Sequence, residues 1–76
     1  MNEYTITFEK AALKFIRKQD KMTQKRLLTA IRQLPMGTDI KRLQGYDNLY
    51  RMRVGNMRIL YAIKETVKIV NIENID

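Results

Sequence analysis

Arg51, Arg53 and Arg58 are the side chains of this 76-residue chain whose type and spacing best suit chemistry. A guanidinium is a planar, permanently charged fork of donors that matches phosphate oxygens and stabilises charge developing on phosphorus. RNA cleavage needs neither a metal nor an enzyme nucleophile when the substrate's own 2′-OH attacks the neighbouring phosphate, so a guanidinium cluster has a reaction open to it. Other chemistries are closed off by composition. With no His and no Cys, the chain lacks the commonest general base, the usual zinc ligands and any Cys/His nucleophile pair. Gly37, Gly45 and Gly55 stand too far apart to form a phosphate-cradling loop, and the acidic residues are too scattered for a carboxylate pair or a two-metal centre. No metal and no cofactor are expected.

The element that must position the arginines is a hairpin over residues 49–63. Runs rich in Tyr, Val, Ile and Met flank Gly55-Asn56, a two-residue connection of the kind that makes a tight turn, with Gly supplying the positive φ. If Val54 lies opposite Met57, then Arg53 faces Arg58, Arg51 faces Leu60, and Tyr50 faces Tyr61. Alternation along each strand then puts Tyr50, Met52, Val54, Met57, Ile59, Tyr61 and Ile63 on one face and Arg51, Arg53, Arg58 and Leu60 on the other. The first face reads as core. Like charges directly opposite one another cost up to about 1 kcal/mol, so an Arg53/Arg58 pair beside Arg51 calls for an anionic partner; the bland alternative is a solvated basic face.

The flanking segments supply what covers the core face. Tyr4, Ile6 and Phe8 alternate with Thr5 and Thr7, which predicts a strand over residues 3–8. Ala12, Phe15 and Ile16, with Leu13 on the flank, form an apolar stripe on a helix over residues 9–18, and Lys10, Lys14, Arg17 and Lys18 form the opposite stripe. Asp20 is placed to cap a second helix that ends before Pro35, with Leu27, Leu28, Ala30, Ile31 and Leu34 turned inward and Lys25, Arg26, Arg32 and Gln33 outward. Residues 36–47 read as a loop carrying the basic pair Lys41-Arg42, and residues 67–72 as a last strand. The order β-α-α-β-β-β predicts an α+β domain over residues 1–76, two helices packed on one face of a mostly antiparallel four-stranded sheet with its arginine face bare. The Lys10, Lys14, Arg17 and Lys18 stripe is by default a solvated face and secondarily a surface that tracks phosphates; Lys41 and Arg42 are candidates for steering a strand of RNA to the sheet. Tyr50 and Tyr61 are packing residues, whereas Tyr46 either stacks on a base or caps the core edge.

The net charge is +7, and thirteen of the fifteen Lys and Arg fall between residues 10 and 58. That asymmetry points to a polyanion, whether nucleic acid, an anionic membrane surface or an acidic protein, with nucleic acid favoured. A chain this short holds one modest core. Absence of cysteine suits a reducing cytoplasm, and neither a signal peptide nor a stretch of membrane-spanning length is present, so a soluble protein without a membrane partner is expected.

The stretch LQGYDNLYRMRVGNMRILYAI, residues 43–63, resembles the signature of the RelE/ParE superfamily of bacterial toxins: Leu-x-Gly followed by Tyr, a basic-x-basic strand, Gly, and an Arg-hydrophobic-hydrophobic-Tyr strand. The order of elements also looks like theirs. The resemblance is specific in this central segment and elsewhere rests on amphipathic pattern. The RelE branch implies a toxin that cleaves mRNA on the ribosome and so inhibits translation, with Arg51 binding substrate phosphate, Arg53 positioning the 2′-OH and phosphate, and Arg58 stabilising the transition state. In that branch the position of Arg53 is often Lys, and the chain continues past the last strand into a segment bearing a further Arg and a Tyr that this sequence lacks, which implies a truncated or attenuated form here. The ParE branch implies inhibition of DNA gyrase instead; a non-catalytic RNA- or ribosome-binding module is the third alternative. Either branch implies a cognate antitoxin, an acidic helical segment wrapping the basic surface.

Overall fold

In the computed structural model, which describes residues 3–76, strand β1 (Thr5–Phe8) leads into helices α1 (Lys10–Arg17) and α2 (Lys21–Arg32), followed by strands β2 (Ile40–Arg42), β3 (Leu49–Val54), β4 (Met57–Lys64) and β5 (Ile69–Ile75). The strands form one sheet in the order β1-β5-β4-β3-β2. It has five strands where the sequence predicted four, because the expected loop over residues 36–47 contains β2, paired antiparallel with β3. The sheet is mixed: β1 runs parallel to β5, and the other neighbours are antiparallel. Both helices lie on one face, as the apolar stripes required.

Local chemistry sets the helix starts. The Asp20 carboxylate accepts from the Thr23 backbone N–H at 2.8 Å, satisfying one of the donors that a helix N-terminus leaves free; that bond also lowers the Asp20 pKa below 3.8. Glu9 precedes α1 without capping it by its side chain. Its carboxylate instead accepts from Asn71 Nδ2 at 2.9 Å. Asn71 is also bonded to Glu73 and accepts from the Thr7 hydroxyl at 2.7 Å, so a nearly buried polar group on β5 ties together β1, the start of α1 and its own strand. Buried amides are kept in a fold when their donors and acceptors are met in this way.

The core sits between the helices and the sheet. Ala12 and Ile16 from α1, with Leu27 and Ile31 from α2 and Leu34 just beyond it, meet Met52, Val54, Ile59, Tyr61, Val70, Ile72 and Ile75. Each fully enclosed Leu or Ile contributes about 1.5–3 kcal/mol of burial. The last strand begins later than the predicted 67–72 and runs to Ile75, since Val67 is 61% exposed in the turn and Lys68 has a positive φ of 54°. Its apolar residues break the two-residue rhythm. Tyr61 pairs with Ile72 and Leu60 with Asn74, so Glu73 is an extra residue in the ladder; this bulge restores Ile75 to the core face that Val70 and Ile72 already occupy.

Candidate nucleic-acid interface

The β3–β4 hairpin holds the arginines in the register the sequence predicts: Arg53 opposite Arg58, Arg51 opposite Leu60, Met52 opposite Ile59 and Tyr50 opposite Tyr61. Gly55 makes the turn possible with φ 62°, a left-handed value that a side chain tolerates poorly. Strand β2 adds a second like-charged pair. Lys41 lies directly opposite Arg51, so two cationic pairs, Lys41/Arg51 and Arg53/Arg58, stand on the face without helices. Each such pair costs roughly 0.2–1 kcal/mol when no anion intervenes.

Arg51 and Arg58 share a small cavity of about 160 Å³ with Leu43, Leu60, Asn74 and Asp76. Arg51 is half-buried, and its Nε is enclosed with no hydrogen-bond partner among the described residues. An enclosed donor left unmet costs about 1–3 kcal/mol, the kind of deficit that an incoming oxyanion removes. Arg58 is already engaged: its Nε donates to Asp76 Oδ1 at 2.9 Å and its Nη2 to Oδ2 at 3.2 Å, while the two backbones exchange N–H···O bonds of 2.8 and 3.0 Å. The side chains of this pair are 56% and 57% exposed, so water competes with it and it holds Arg58 by only about 0–1 kcal/mol. Arg53 is exposed and lies outside the Arg51 cavity, in an open one of about 400 Å³ lined with Arg58 and the Gly55-Asn56 turn. The three arginines therefore form a row in which Arg58 borders both neighbours.

The other basic residues singled out in the sequence divide between the two layers. Lys41 joins the arginine face through its pairing with Arg51. Arg42 pairs with Tyr50 and so points to the other side of the sheet; its Nη2 donates to the Asp47 carbonyl at 2.9 Å and closes the loop after β2. Lys10, Lys14, Arg17 and Lys18 are exposed on or just after α1, whose buried residues Ala12 and Ile16 face the sheet. They lie on the far side of the helical layer from the arginine row. Tyr50 and Tyr61 stack in the core with centroids 5.6 Å apart and an interplanar angle of 17°, and burial, reinforced by Tyr50, pushes the Tyr61 phenol up to about 12. Tyr46 is 59% exposed and lines a surface cavity with Arg42.

Asp76 is the residue that the sequence reading missed. Its signal was the register: carrying the antiparallel ladder of β4 and β5 one step beyond Ile59/Ile75 brings residue 76 against Arg58. The bulge at Glu73 hid that step, because an unbroken alternation gives the wrong face. Among the described residues no helix is long and apolar enough to cross a membrane.

Comparison with known proteins agrees with this architecture. No curated protein sequence matches the chain. Among solved structures, it superposes on the RelE–RelB complex of Pyrococcus horikoshii with TM-score 0.77 and 22% identity, covering 100% of this chain and 94% of that one. A RelBE toxin-antitoxin complex of Mycobacterium tuberculosis gives TM-score 0.76 and 23% identity over 96% and 95% of the two chains, and the RelB–RelE complex of Methanococcus jannaschii gives 0.75 and 25% over 92% and 87%. The family model for the ParE toxin of type II toxin-antitoxin systems matches residues 6–75. The chain thus belongs to the RelE/ParE superfamily, as a toxin-family member of a type II toxin-antitoxin system.

Proposed function

We propose that the chain is a RelE-like, metal-independent endoribonuclease that acts on mRNA at the ribosome and is neutralised by a cognate antitoxin in the cytoplasm. One observation carries this reading: two like-charged pairs, Lys41/Arg51 and Arg53/Arg58, are set side by side on the face that the helices leave uncovered. A polyphosphate strand offers charges to both pairs at once. The substrate's 2′-oxygen attacks the adjacent phosphorus, the phosphorus–O5′ bond breaks, and the products are a 2′,3′-cyclic phosphate and a 5′-hydroxyl end. A guanidinium is permanently protonated and takes no proton from the 2′-OH, so that proton leaves to water and the 5′-oxygen collects one from water. The arginines contribute electrostatics and placement: Arg51 holds the phosphate, Arg53 aligns the 2′-OH against it, and Arg58 meets the charge that grows on phosphorus. For Arg58 to do so, phosphate replaces the Asp76 carboxylate, an exchange made easy by the exposure of that pair.

Mapping cuts on mRNA in translating ribosomes supplied with the chain tests this reading. Cuts in the A-site codon are expected, with Arg58→Ala slowing them roughly 10²–10³-fold, as loss of one donor to a developing oxyanion does. The match to the ParE family model supports a second reading, inhibition of DNA gyrase. Uncut mRNA together with blocked gyrase supercoiling would replace the first reading by the second.

A further inference from the structure

Four residues stand in one line across strands β2 to β5 on the uncovered face: Lys41 is opposite Arg51, Arg51 opposite Leu60, and Leu60 opposite Asn74. Direct cross-strand partners share a face, so the line passes from two cations through an apolar side chain to an amide. Asn74 owes its place to the bulge at Glu73. In an unbroken alternation from Asn71 its side chain would fall on the core side, and re-aiming a side chain is what a bulge does beside a functional surface. The two asparagines of β5 then differ. Asn71 is nearly buried and its amide is engaged by Thr7, Glu9 and Glu73, whereas Asn74 is exposed and its amide has no hydrogen-bond partner among the described residues. Asn74 and Leu60, with Leu43, also line the cavity of about 160 Å³ that Arg51 and Arg58 border.

We propose that Asn74 reads a base: with a phosphate seated on Arg51 and Arg58, the base of an adjoining nucleotide lies over Leu43 and Leu60 and presents its edge to the Asn74 amide. The proposal rests on the RNA reading above and names a specificity-determining residue for it. The cavity carries the contacts that a nucleotide asks for, in the order in which a nucleotide offers them. Guanidinium forks meet the phosphate, apolar side chains meet the flat ring, and an amide meets the ring edge. Arg51 and Asn74 stand two strand spacings apart, about 10 Å, a distance that one nucleotide spans from phosphate to base edge. An acidic side chain of a protein would satisfy the guanidinium and leave the leucines and the amide unused. Adenine is the base favoured, because an amide offers a donor and an acceptor side by side, matching the ring nitrogen and exocyclic amine of that base.

Binding of the full chain to short oligouridylates that carry one central A, C, G or U tests the assignment with the number of phosphates held constant. The strand with A is expected to bind roughly tenfold tighter than the all-U strand, within what one bidentate amide–base pair supplies. Asn74→Ala, at an exposed position and checked for folding by circular dichroism, is expected to abolish that preference and leave the salt dependence unchanged, since no phosphate contact is lost. Arg51→Ala should do the reverse, lowering the log-log salt slope and keeping the preference. Asn74→Gln, which restores an amide, should recover part of the preference. Replacing the adenine by purine, which lacks the exocyclic amine, should remove most of the preference of the unaltered chain and change nothing further in Asn74→Ala. A preference for A that survives Asn74→Ala, or equal binding of all four strands with a slope that Arg51→Ala lowers, overturns the base site and leaves the RNA reading standing. If no strand is bound, the RNA reading falls and the base site with it. In a second measurement the Asn74 side-chain amide resonances are followed by NMR as adenosine monophosphate or oligoglutamate is added. Shifts are expected with the nucleotide; shifts with oligoglutamate alone would assign the cavity to an acidic protein segment and overturn the proposal.

Discussion

Along β4, Ile59 is fully enclosed beneath the helices, whereas Leu60, the next residue, lies half-buried beside Arg51 and Asn74 on the uncovered face. The hairpin thus follows opposite rules on its two sides. On one, apolar side chains interlock and the one misplaced polar atom is the Tyr61 hydroxyl, which has no hydrogen-bond partner among the described residues. On the other, cations are set against cations and the enclosed donor is Arg51 Nε. A stray hydroxyl in a packed interior is a tolerated defect. A stray guanidinium donor in a hollow shared with Arg58 is a place for an anion.

Substitutions on the two faces are expected to differ accordingly. Ile59→Ala should cost about 2–5 kcal/mol, a large share of the roughly 4–11 kcal/mol available to a domain of this size. Leu60→Ala, which leaves no enclosed cavity, should cost about 1 kcal/mol or less. Urea midpoints of the two variants measure the contrast, and equal losses would erase it.

Tyr61→Phe sharpens the comparison in the opposite direction. Removing a buried hydroxyl that bonds to nothing is expected to stabilise the fold by about 1 kcal/mol. The variant should also alter the response to alkali. Burial raises the Tyr61 pKa from 10.0 to about 12, so the folded state holds this proton more tightly than the unfolded chain does. The stability linked to Tyr61 is complete below pH 10.0 and is lost as the pH rises through about 12. Denaturation curves across that window should fall less steeply for Tyr61→Phe than for the unaltered chain; parallel curves would show that the phenol is not desolvated.

Asp76→Ala has the smallest expected effect on folding, under about 1 kcal/mol, because the pair it breaks is exposed. Its effect on the open face is larger. With the carboxylate gone, Arg58 is released and a negative charge leaves the phosphate path, so affinity for single-stranded RNA should rise. A fall in affinity would show that Asp76 orients Arg58 for RNA and does not compete with it.

What could be foreseen in the sequence was whatever local pattern determines. The hairpin register followed from Gly55-Asn56 and the alternation on either side of it, the start of α2 from Asp20, and the placement of both helices from stripes such as Leu27 and Ile31. Three features lay beyond that reach. Strand β2 is three residues long, Ile40–Arg42, too short to display a period, and it is a strand because the edge of β3 is there to pair with. The parallel ladder of β1 with β5 joins residues more than sixty positions apart, which no local signal announces. The Glu73 bulge reverses the alternation within a single strand, so a reading in steps of two loses Ile75 and, with it, Asp76. In the site, the like-charged Arg53/Arg58 pair was legible because two strands define it. The place of Asn74 opposite Leu60 was not, because the Glu73 bulge sets it.

The pairing of β1 with β5 also governs the order in which the molecule can be assembled. Thr5 to Phe8 have their sheet partners in Ile69 to Ile72, so during synthesis the first strand waits until more than sixty further residues have been made. Until then β4 lacks the neighbour that carries Val70, Ile72 and Ile75 into the core. Such distant closure is slow compared with local hairpins and helices. For a member of a toxin family it has a further effect: of the framework around the arginine hairpin only β5 is translated after it, and a nascent chain that still lacks β5 carries the cations without a finished surface on which to use them.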